Sequence, residues 1–217
     1  MQTMPKTAFD PLPADWQTAE KPVAYEEAVR AMEERVRAIR EDGARDLVWL
    51  IEHPPLYTAG TSANPKDLIN KTFPVHTTGR GGQYTYHGPG QRIAYVMLDL
   101  QKRGCDLRRY ICDLEEWMIL ALKDFGVKGA RRKGRVGIWV ETGDSEAKIA
   151  AIGVRVRKWV TFHGVAINLD PDLSHYNGIV PCGIKEYGVT SLAKLGATAT
   201  MADLDAALHR NWHKVFG

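Results

Sequence analysis

One cysteine stands in a setting that suits nucleophilic chemistry. Cys182 lies between Pro181 and Gly183 in a polar loop. A thiol becomes a good nucleophile when a neighbouring cation or a helix N-terminus lowers its pKa from about 8.5. From this setting alone, a nucleophile and a small buried side chain are equally good interpretations. The other two cysteines are assigned structural roles, Cys105 because it has no obvious partner and Cys112 because it follows the apolar register of a predicted helix.

Two residues are candidates for the cation that would activate this thiol. Lys148 begins the apolar run "KIAAIGV". An apolar setting disfavours the charged ammonium, so such a lysine could act as a base or pair with a thiolate. Taken alone, a solvated lysine at a strand end is the commoner case. The second candidate, His163, lies between Phe162 and Gly164 and by itself is typical of a hydrogen-bonded core histidine.

A glycine cluster, "GRGGQYTYHGPGQ" at 79–91, contains five glycines. It is not a dinucleotide fingerprint, because Tyr84 stands where the third glycine is required. Nor is 129–135 a Walker loop, because it ends in arginine rather than in lysine followed by serine or threonine. A hairpin turn is the plain alternative for the cluster. Arg80 and His87 among so much bare backbone predict instead a loop that wraps an elongated ligand.

Two further clusters of polar residues are candidate binding sites. His209 and His213 have a spacing that could bind zinc, but no third ligand stands beside them, so we predict neither a metal nor a cofactor. The run "RRKGR" at 131–135 is either a solvated loop or a docking patch for an acidic protein partner.

Helical spacing of apolar residues predicts three helices. They lie between Pro22 and Gly43, over 106–125 and over 201–216, with Asp106 and Thr200 as the caps of the last two. Short apolar or alternating runs predict strands at 46–53, 73–78, 92–100, 135–141, 147–158 and 160–170. Most strands follow one another directly, which favours an α+β domain with a mixed or antiparallel sheet over a doubly wound fold.

Composition excludes several classes of protein. With 29 basic and 26 acidic residues the net charge is +3, too balanced for a dedicated nucleic-acid binder. No apolar run is long enough for a membrane span, and the N-terminus lacks the layout of a signal peptide. We therefore expect a cytoplasmic monomer with reduced thiols that binds neither nucleic acid nor membrane. Residues 1–20 are interpreted as a flexible extension and 21–217 as one domain.

Three stretches together resemble a known family. "RGGQYTYHGPGQ" (80–91), "AKIAAIGVRVRKWVTFHGVAINLD" (147–170) and "GIVPCGI" (178–184) are similar, in this order, to the motifs of the bacterial lipoyl(octanoyl) transferases. The similarity extends over about 46–195. It implies an α/β fold of the biotin/lipoate-protein-ligase-like kind, with a central mixed β-sheet flanked by helices.

The resemblance also implies an activity. An enzyme of this family would transfer an octanoyl group from octanoyl-acyl carrier protein to a specific lysine of a lipoyl domain, the first step of endogenous lipoate biosynthesis. The acceptors would be the E2 subunits of 2-oxoacid dehydrogenases and the glycine cleavage H protein. Exchange between two thioesters is nearly isoenergetic, so no ATP is needed, in agreement with the missing nucleotide loop.

Residue roles follow from the same resemblance. Cys182 would be the acyl-thioester nucleophile and Lys148 the group that lowers its pKa. The substrate site would be lined by Arg80, Gly81, Gly82, Gln83, Tyr84, Thr85, Tyr86, His87, Ala151, Ile152, Gly153, His163, Gly164, Val165 and Ala166.

Three alternatives stay open. An ATP-dependent lipoate or biotin ligase would share the fold and would require ATP. A thioesterase would release free octanoate without any lipoyl domain. A non-catalytic acyl-binding module would not depend on Cys182.

Overall fold

The computed structural model describes residues 13–143, 145–180 and 187–217. Cys182 therefore lies outside the described residues. The three helices are α1 (Tyr25–Glu41), α2 (Leu107–Lys123) and α3 (Met201–Phe216). The strands are β1 (Ala14–Thr18), β2 (Asp46–Ile51), β3 (Leu56–Ala59), β4 (Val75–Thr77), β5 (Tyr84–His87), β6 (Gln91–Met97), β7 (Ala130–Arg132), β8 (Arg135–Thr142), β9 (Ser145–Arg157), β10 (Val160–Asn168) and β11 (Gly188–Val189).

The strands form a large sheet and a small one. The large sheet has the order β1-β2-β6-β10-β9-β8-β7, and β11 pairs with the beginning of β9. The pairs β1–β2 and β11–β9 are parallel and the others are antiparallel, which confirms the predicted mixed sheet. The small sheet has the order β4-β3-β5.

Helices cover both faces of the large sheet. On one face α2 and α3 form a core in which the rings of Trp117 and Trp212 lie 5.0 Å apart. On the other face α1 buries Met32 and Val36 against β6 and β10. Apolar residues at helical spacing produce both contacts, because they place one stripe of each helix toward the sheet.

Local signals position the helix ends as predicted. Thr200 and Asp203 form a reciprocal capping box at the start of α3, with the Thr200 amide donating to Asp203 Oδ2 at 2.8 Å. At the start of α2, the carboxylate of Asp106 accepts from the amide of Arg109 at 2.9 Å. Such caps satisfy amide groups that have no partner within the helix.

Three features differ from the sequence-based interpretation. Residues 14–18, within the stretch interpreted as a flexible extension, form β1 and pair with β2. The cluster 79–91 is not one loop, because 84–87 form β5 of the small sheet. Cys112 is exposed rather than part of the core. It lies two residues from Leu114, about 200° around the helix, and so points away from the buried face.

Candidate active site

A cavity of about 280 Å³ lies between the small sheet and the α1 face of the large sheet. The small sheet contributes Thr58, Thr85 and His87 to its wall. Lys148 lines the cavity, as does every residue of the predicted substrate site except Gly81 and Tyr86. The structure thus brings the first two sequence motifs together around one space.

The two exceptions have other contacts. The hydroxyl of Tyr86 lies 2.8 Å from Nδ1 of His175, and the tyrosine ring packs in the aromatic cluster on the far side of β5. The amide of Gly81 donates to the carbonyl oxygen of Val154 at 2.9 Å and attaches the glycine loop to β9. Both residues support the wall without lining the cavity.

Small residues on adjacent strands leave room for the cavity. Ala151 of β9 lies opposite Ala166 of β10, and Gly153 lies opposite Gly164. Because side chains alternate along a strand, these four residues share the face that carries the cavity. Ile93 of β6, opposite Ala166, extends this floor. The result is an apolar floor able to hold an alkyl chain.

The buried side chain of Arg80 connects the glycine loop to Thr58 of β3. Its guanidinium donates to the carbonyl oxygens of Thr58, Gly81 and Gln83, each at 2.9 Å, and to the hydroxyl of Thr58 at 2.6 Å. A Cβ atom on Gly153 would lie 2.9 Å from Arg80 Cδ. The glycines therefore let the backbone approach the stem and head of this buried arginine closely.

His87 is held in one tautomer. The side-chain amide nitrogen of Gln91 donates to Asn168 Oδ1 and to the hydroxyl of Tyr176, each at 2.9 Å, so the Gln91 oxygen faces His87 Nδ1 at 2.7 Å. Nδ1 must therefore carry the proton, and Nε2 accepts from the hydroxyl of Thr58 at 3.3 Å. Burial, and then the proximity of His53, lowers the pKa of His87 to about 3.

Two further histidines near the cavity are also neutral. His53 donates from Nδ1 to the carbonyl oxygen of Val23 at 2.6 Å and accepts at Nε2 from the hydroxyl of Tyr95 at 2.7 Å. Burial lowers the pKa of His53 to about 4. Burial, and after it the charge of Arg80, lowers the pKa of His163 to about 3. A neutral His163 does not supply a cation, which leaves Lys148 as the candidate named from the sequence.

Lys148 is a buried lysine of β9, 8% exposed. Its Nζ donates to the carbonyl oxygen of Val136 at 3.0 Å and lies 4.8 Å from the ring centroid of Trp139. The guanidinium of Arg135 contacts the same ring at 4.5 Å and the ring of Tyr187 at 4.2 Å. The two basic side chains thus share one aromatic ring at the edge of the cavity.

The described residues that flank 181–186 contact different parts of the fold. The amide of Val180 donates to the carbonyl oxygen of Asp67 at 2.8 Å. On the other side, Tyr187 packs against Trp139 with the ring centroids 5.5 Å apart. The next strand, β11, pairs Val189 with Lys148. The chain on the C-terminal side of the segment that holds Cys182 therefore adjoins Lys148.

Comparisons with known proteins agree on one family. The model of the lipoyl protein ligase A/B catalytic domain matches residues 24–212. A curated octanoyltransferase of Paramagnetospirillum magneticum is 65% identical over 207 residues, which cover 94% of this chain and 98% of that protein. The octanoyltransferase of Rhodospirillum rubrum is 60% identical over 205 residues, covering 94% and 95%. The chain belongs to the octanoyltransferase family.

Solved structures confirm the predicted fold of this octanoyltransferase. A bi-partite lipoate protein ligase from Thermoplasma acidophilum superposes with a TM-score of 0.69 at 15% identity, covering 94% of this chain and 84% of that one. Lipoate-protein ligase A bound with ATP superposes with a TM-score of 0.70 at 13% identity, covering 93% and 85%. At such low identity these structures show the shared fold alone.

Sequence reasoning did not find several residues that line the octanoyltransferase cavity. They are Tyr25, Thr58, Ser62, Ile93, Tyr95, Gly134, Arg135 and Val136. All of them lie outside the three motifs, and none has a local signal of its own in the sequence. The sequence suggests Arg135 only as a docking residue, and Thr58 lies in a short strand after a proline pair.

The basic run 131–135 is largely bound to carboxylates of its own chain. Arg131 pairs with Glu115 and Glu116, whereas Arg132 and Arg135 both pair with Glu146. These ion pairs partly neutralise the predicted docking patch and so weaken its attraction for an acidic partner.

The predicted histidine pair of α3 packs against other groups. The ring of His209 lies 4.7 Å from that of Trp16, and His213 Nδ1 lies 3.4 Å from the carbonyl oxygen of Gly217. Within the part of the chain that the structure describes, no three His, Cys, Asp or Glu residues are grouped to hold a metal ion. Among the helices of the described ranges, none is long and apolar enough to cross a membrane.

Proposed function

We propose that this octanoyltransferase works in two steps through a thioester on Cys182. Octanoyl-acyl carrier protein donates the acyl group, and a lysine of a lipoyl domain accepts it. The acceptors are the E2 subunits of 2-oxoacid dehydrogenases and the glycine cleavage H protein. The single domain, with β1 as its first described strand, carries out both steps in the cytoplasm as a monomer.

In the first step, the Cys182 thiolate attacks the thioester carbonyl of the donor. Lys148 first takes the proton of the Cys182 thiol. A new carbon–sulfur bond then forms to Cys182, the bond to the carrier's sulfur breaks, and that sulfur leaves as a thiolate and receives the proton from Lys148, which becomes neutral again. The floor formed by Ala151, Ala166, Gly153 and Gly164 receives the alkyl chain. An apolar chain is favoured there because its transfer from water gains about 0.8 kcal/mol per methylene group.

In the second step, the amine of the acceptor lysine attacks the Cys182 thioester. A carbon–nitrogen bond forms, the carbon–sulfur bond breaks, and the amine must lose a proton. Lys148, in its neutral form, accepts that proton and returns it to the departing thiolate of Cys182. The amide that results holds the octanoyl group on the lipoyl domain.

The observation that carries this proposal is the placement of Lys148. It lines the cavity, it is buried, and its strand pairs with β11 only a few residues beyond Cys182 in the chain. The neutral histidines around the cavity offer no competing cation, because burial lowers the pKa of His87 and His163 to about 3.

A transfer assay separates the proposal from its alternatives. Purified enzyme is mixed with octanoyl-acyl carrier protein and a lipoyl domain, with and without ATP, and the mass of the lipoyl domain is measured. We expect octanoylation of one lysine without ATP, and its loss in Cys182→Ser. A requirement for ATP would indicate a ligase. Free octanoate in place of octanoylated domain would indicate a thioesterase, and product from Cys182→Ser would contradict the thioester.

A further inference from the structure

One peptide group connects Lys148 to helix α2. The carbonyl oxygen of Val136 accepts a hydrogen bond from Lys148 Nζ at 3.0 Å. The N–H of the same peptide group, that of Gly137, donates to Glu115 Oε1 at 3.3 Å. Lysine, peptide group and carboxylate therefore form one continuous chain of hydrogen bonds.

The backbone at Gly137 is built to make this chain possible. Its φ is +114°, a conformation that residues with a Cβ atom avoid. The pairing of β8 with β9 shifts register directly after it, between Ile138 and Trp139. A Cβ atom at Gly137 would lie 2.7 Å from the carbonyl oxygen of Ala150 and 3.3 Å from Lys148 Cε. The irregularity thus gives the lysine stem the space in which it reaches Val136.

Glu115 is held firmly at the other end of the chain. It is a buried carboxylate of α2, 8% exposed, and its Oε2 accepts from Arg131 Nε at 3.1 Å. A hydrogen bond from a peptide N–H to a carboxylate polarises the peptide group and makes its carbonyl oxygen a stronger acceptor. The carboxylate therefore strengthens the bond to Lys148 as well as fixing the direction of the peptide group.

We infer that Glu115 is a positioning residue for acyl transfer. Acting through the Val136–Gly137 peptide group, it fixes Lys148 Nζ at the edge of the cavity, with one hydrogen directed at the Val136 oxygen. In the neutral amine this directs the lone pair away from the Val136 oxygen and toward the reacting groups. The inference rests on the proposed function of Lys148 as the proton acceptor.

Replacing Glu115 tests the inference. In Glu115→Ala the peptide group loses its anchor, and we expect kcat for transfer to the lipoyl domain to fall about 10- to 100-fold, because small misplacements of a catalytic group cost this much. KM for the lipoyl domain should not change, since Glu115 does not line the cavity. Glu115→Gln keeps an oxygen acceptor and should recover most of the rate. Glu115→Met fills about the same volume without a hydrogen-bond acceptor. It replaces the alanine variant in this test if Glu115→Ala does not fold.

The neighbouring carboxylate provides a matched control. Glu116 pairs with the same arginine, Arg131, at 2.7 Å, but the amide of Gly137 is bound to Glu115 instead. Glu116→Ala should keep kcat within about twofold of the parent, as surface substitutions usually do. If Glu115→Ala and Glu116→Ala lose the same activity, the inference is refuted, because the loss then comes from the broken ion pair with Arg131, which both variants share.

A double-mutant cycle separates positioning from general loss of structure. In a Lys148→Ala background, Glu115→Ala should cause no further loss, because the lysine it positions is gone. Fully additive losses would overturn the inference. The proposed function fails separately: if Lys148→Ala alone transfers octanoyl groups at the parent rate, Lys148 is not the base. A slow Lys148→Ala beside an unaffected Glu115→Ala would refute the positioning role only.

Discussion

The hydroxyl of Thr58 joins Arg80 to His87 in the cavity wall. It accepts from Arg80 Nη2 at 2.6 Å and donates to His87 Nε2 at 3.3 Å. Thr58→Val keeps the shape of the side chain and removes both bonds. A hydrogen bond to a charged group contributes about 1.5–3 kcal/mol, and an unsatisfied buried acceptor costs about 1–3 kcal/mol. Arg80 keeps its bonds to the carbonyl oxygens of Thr58 and Gln83, so we expect a net loss of about 3 kcal/mol.

This loss is large enough to measure by thermal unfolding. For a protein of this size, 1 kcal/mol lowers Tm by about 2–4 °C, so Thr58→Val should melt about 6–12 °C below the parent. Thr85 lies opposite Thr58 in β5, lines the same cavity, and its hydroxyl bonds to no other described residue. Thr85→Val should therefore melt within about 2 °C of the parent, and Thr58→Ser should recover most of the loss. Equal Tm values for Thr58→Val and Thr85→Val would show that the bonds of the Thr58 hydroxyl to Arg80 and His87 do not stabilise the fold.

Two further predictions concern the histidines and the cavity floor. The pKa values of His53, His87 and His163 are lowered to between about 3 and about 4, so the unfolded chain binds protons first as the pH falls. The free energy of unfolding should therefore be highest above about pH 6.5 and should fall at lower pH, by up to about 1.4 kcal/mol per pH unit for each histidine. A constant Tm from about pH 7 to pH 5 would contradict this prediction. Ala166→Leu adds three carbons to the cavity floor opposite Ala151. When the two donors compete, this variant should favour hexanoyl over octanoyl transfer by about tenfold. An unchanged preference would show that the acyl chain does not lie on this floor.

The helices could be predicted because their signals are local. The capping box of Thr200 and Asp203 and the spacing of apolar residues both lie within a few positions of the elements they define. Strand β1 carried no such signal. Its sequence, "ADWQT", is mostly polar, and it becomes a strand only because β2 offers an unpaired edge far along the chain. Whether such a segment forms a strand depends on its pairing with a distant part of the chain.

The site could be predicted only in part, for a similar reason. The motifs of the family identified most residues of the cavity wall, including Lys148 and Arg80. The residues that hold these two in place come from elsewhere in the sequence: Thr58 from β3 and Glu115 from α2. In the sequence, Glu115 cannot be told from any other charged residue of an amphipathic helix. Its role becomes visible only when α2 packs against β8.

The site of acylation tests the role of Cys182 most directly. The enzyme is mixed with octanoyl-acyl carrier protein in the absence of a lipoyl domain, and its intact mass is measured. The protein is then digested, and the masses of its peptides locate the adduct. We expect a gain of about 126 Da on Cys182 alone, which is one octanoyl group in place of one hydrogen, and we expect this acylation to be sharply slower in Lys148→Ala. Cys112, which is exposed, provides an internal control for non-specific acylation. An adduct on Cys112 or Cys105, or none at all, would show that Cys182 is not the acyl-carrying nucleophile.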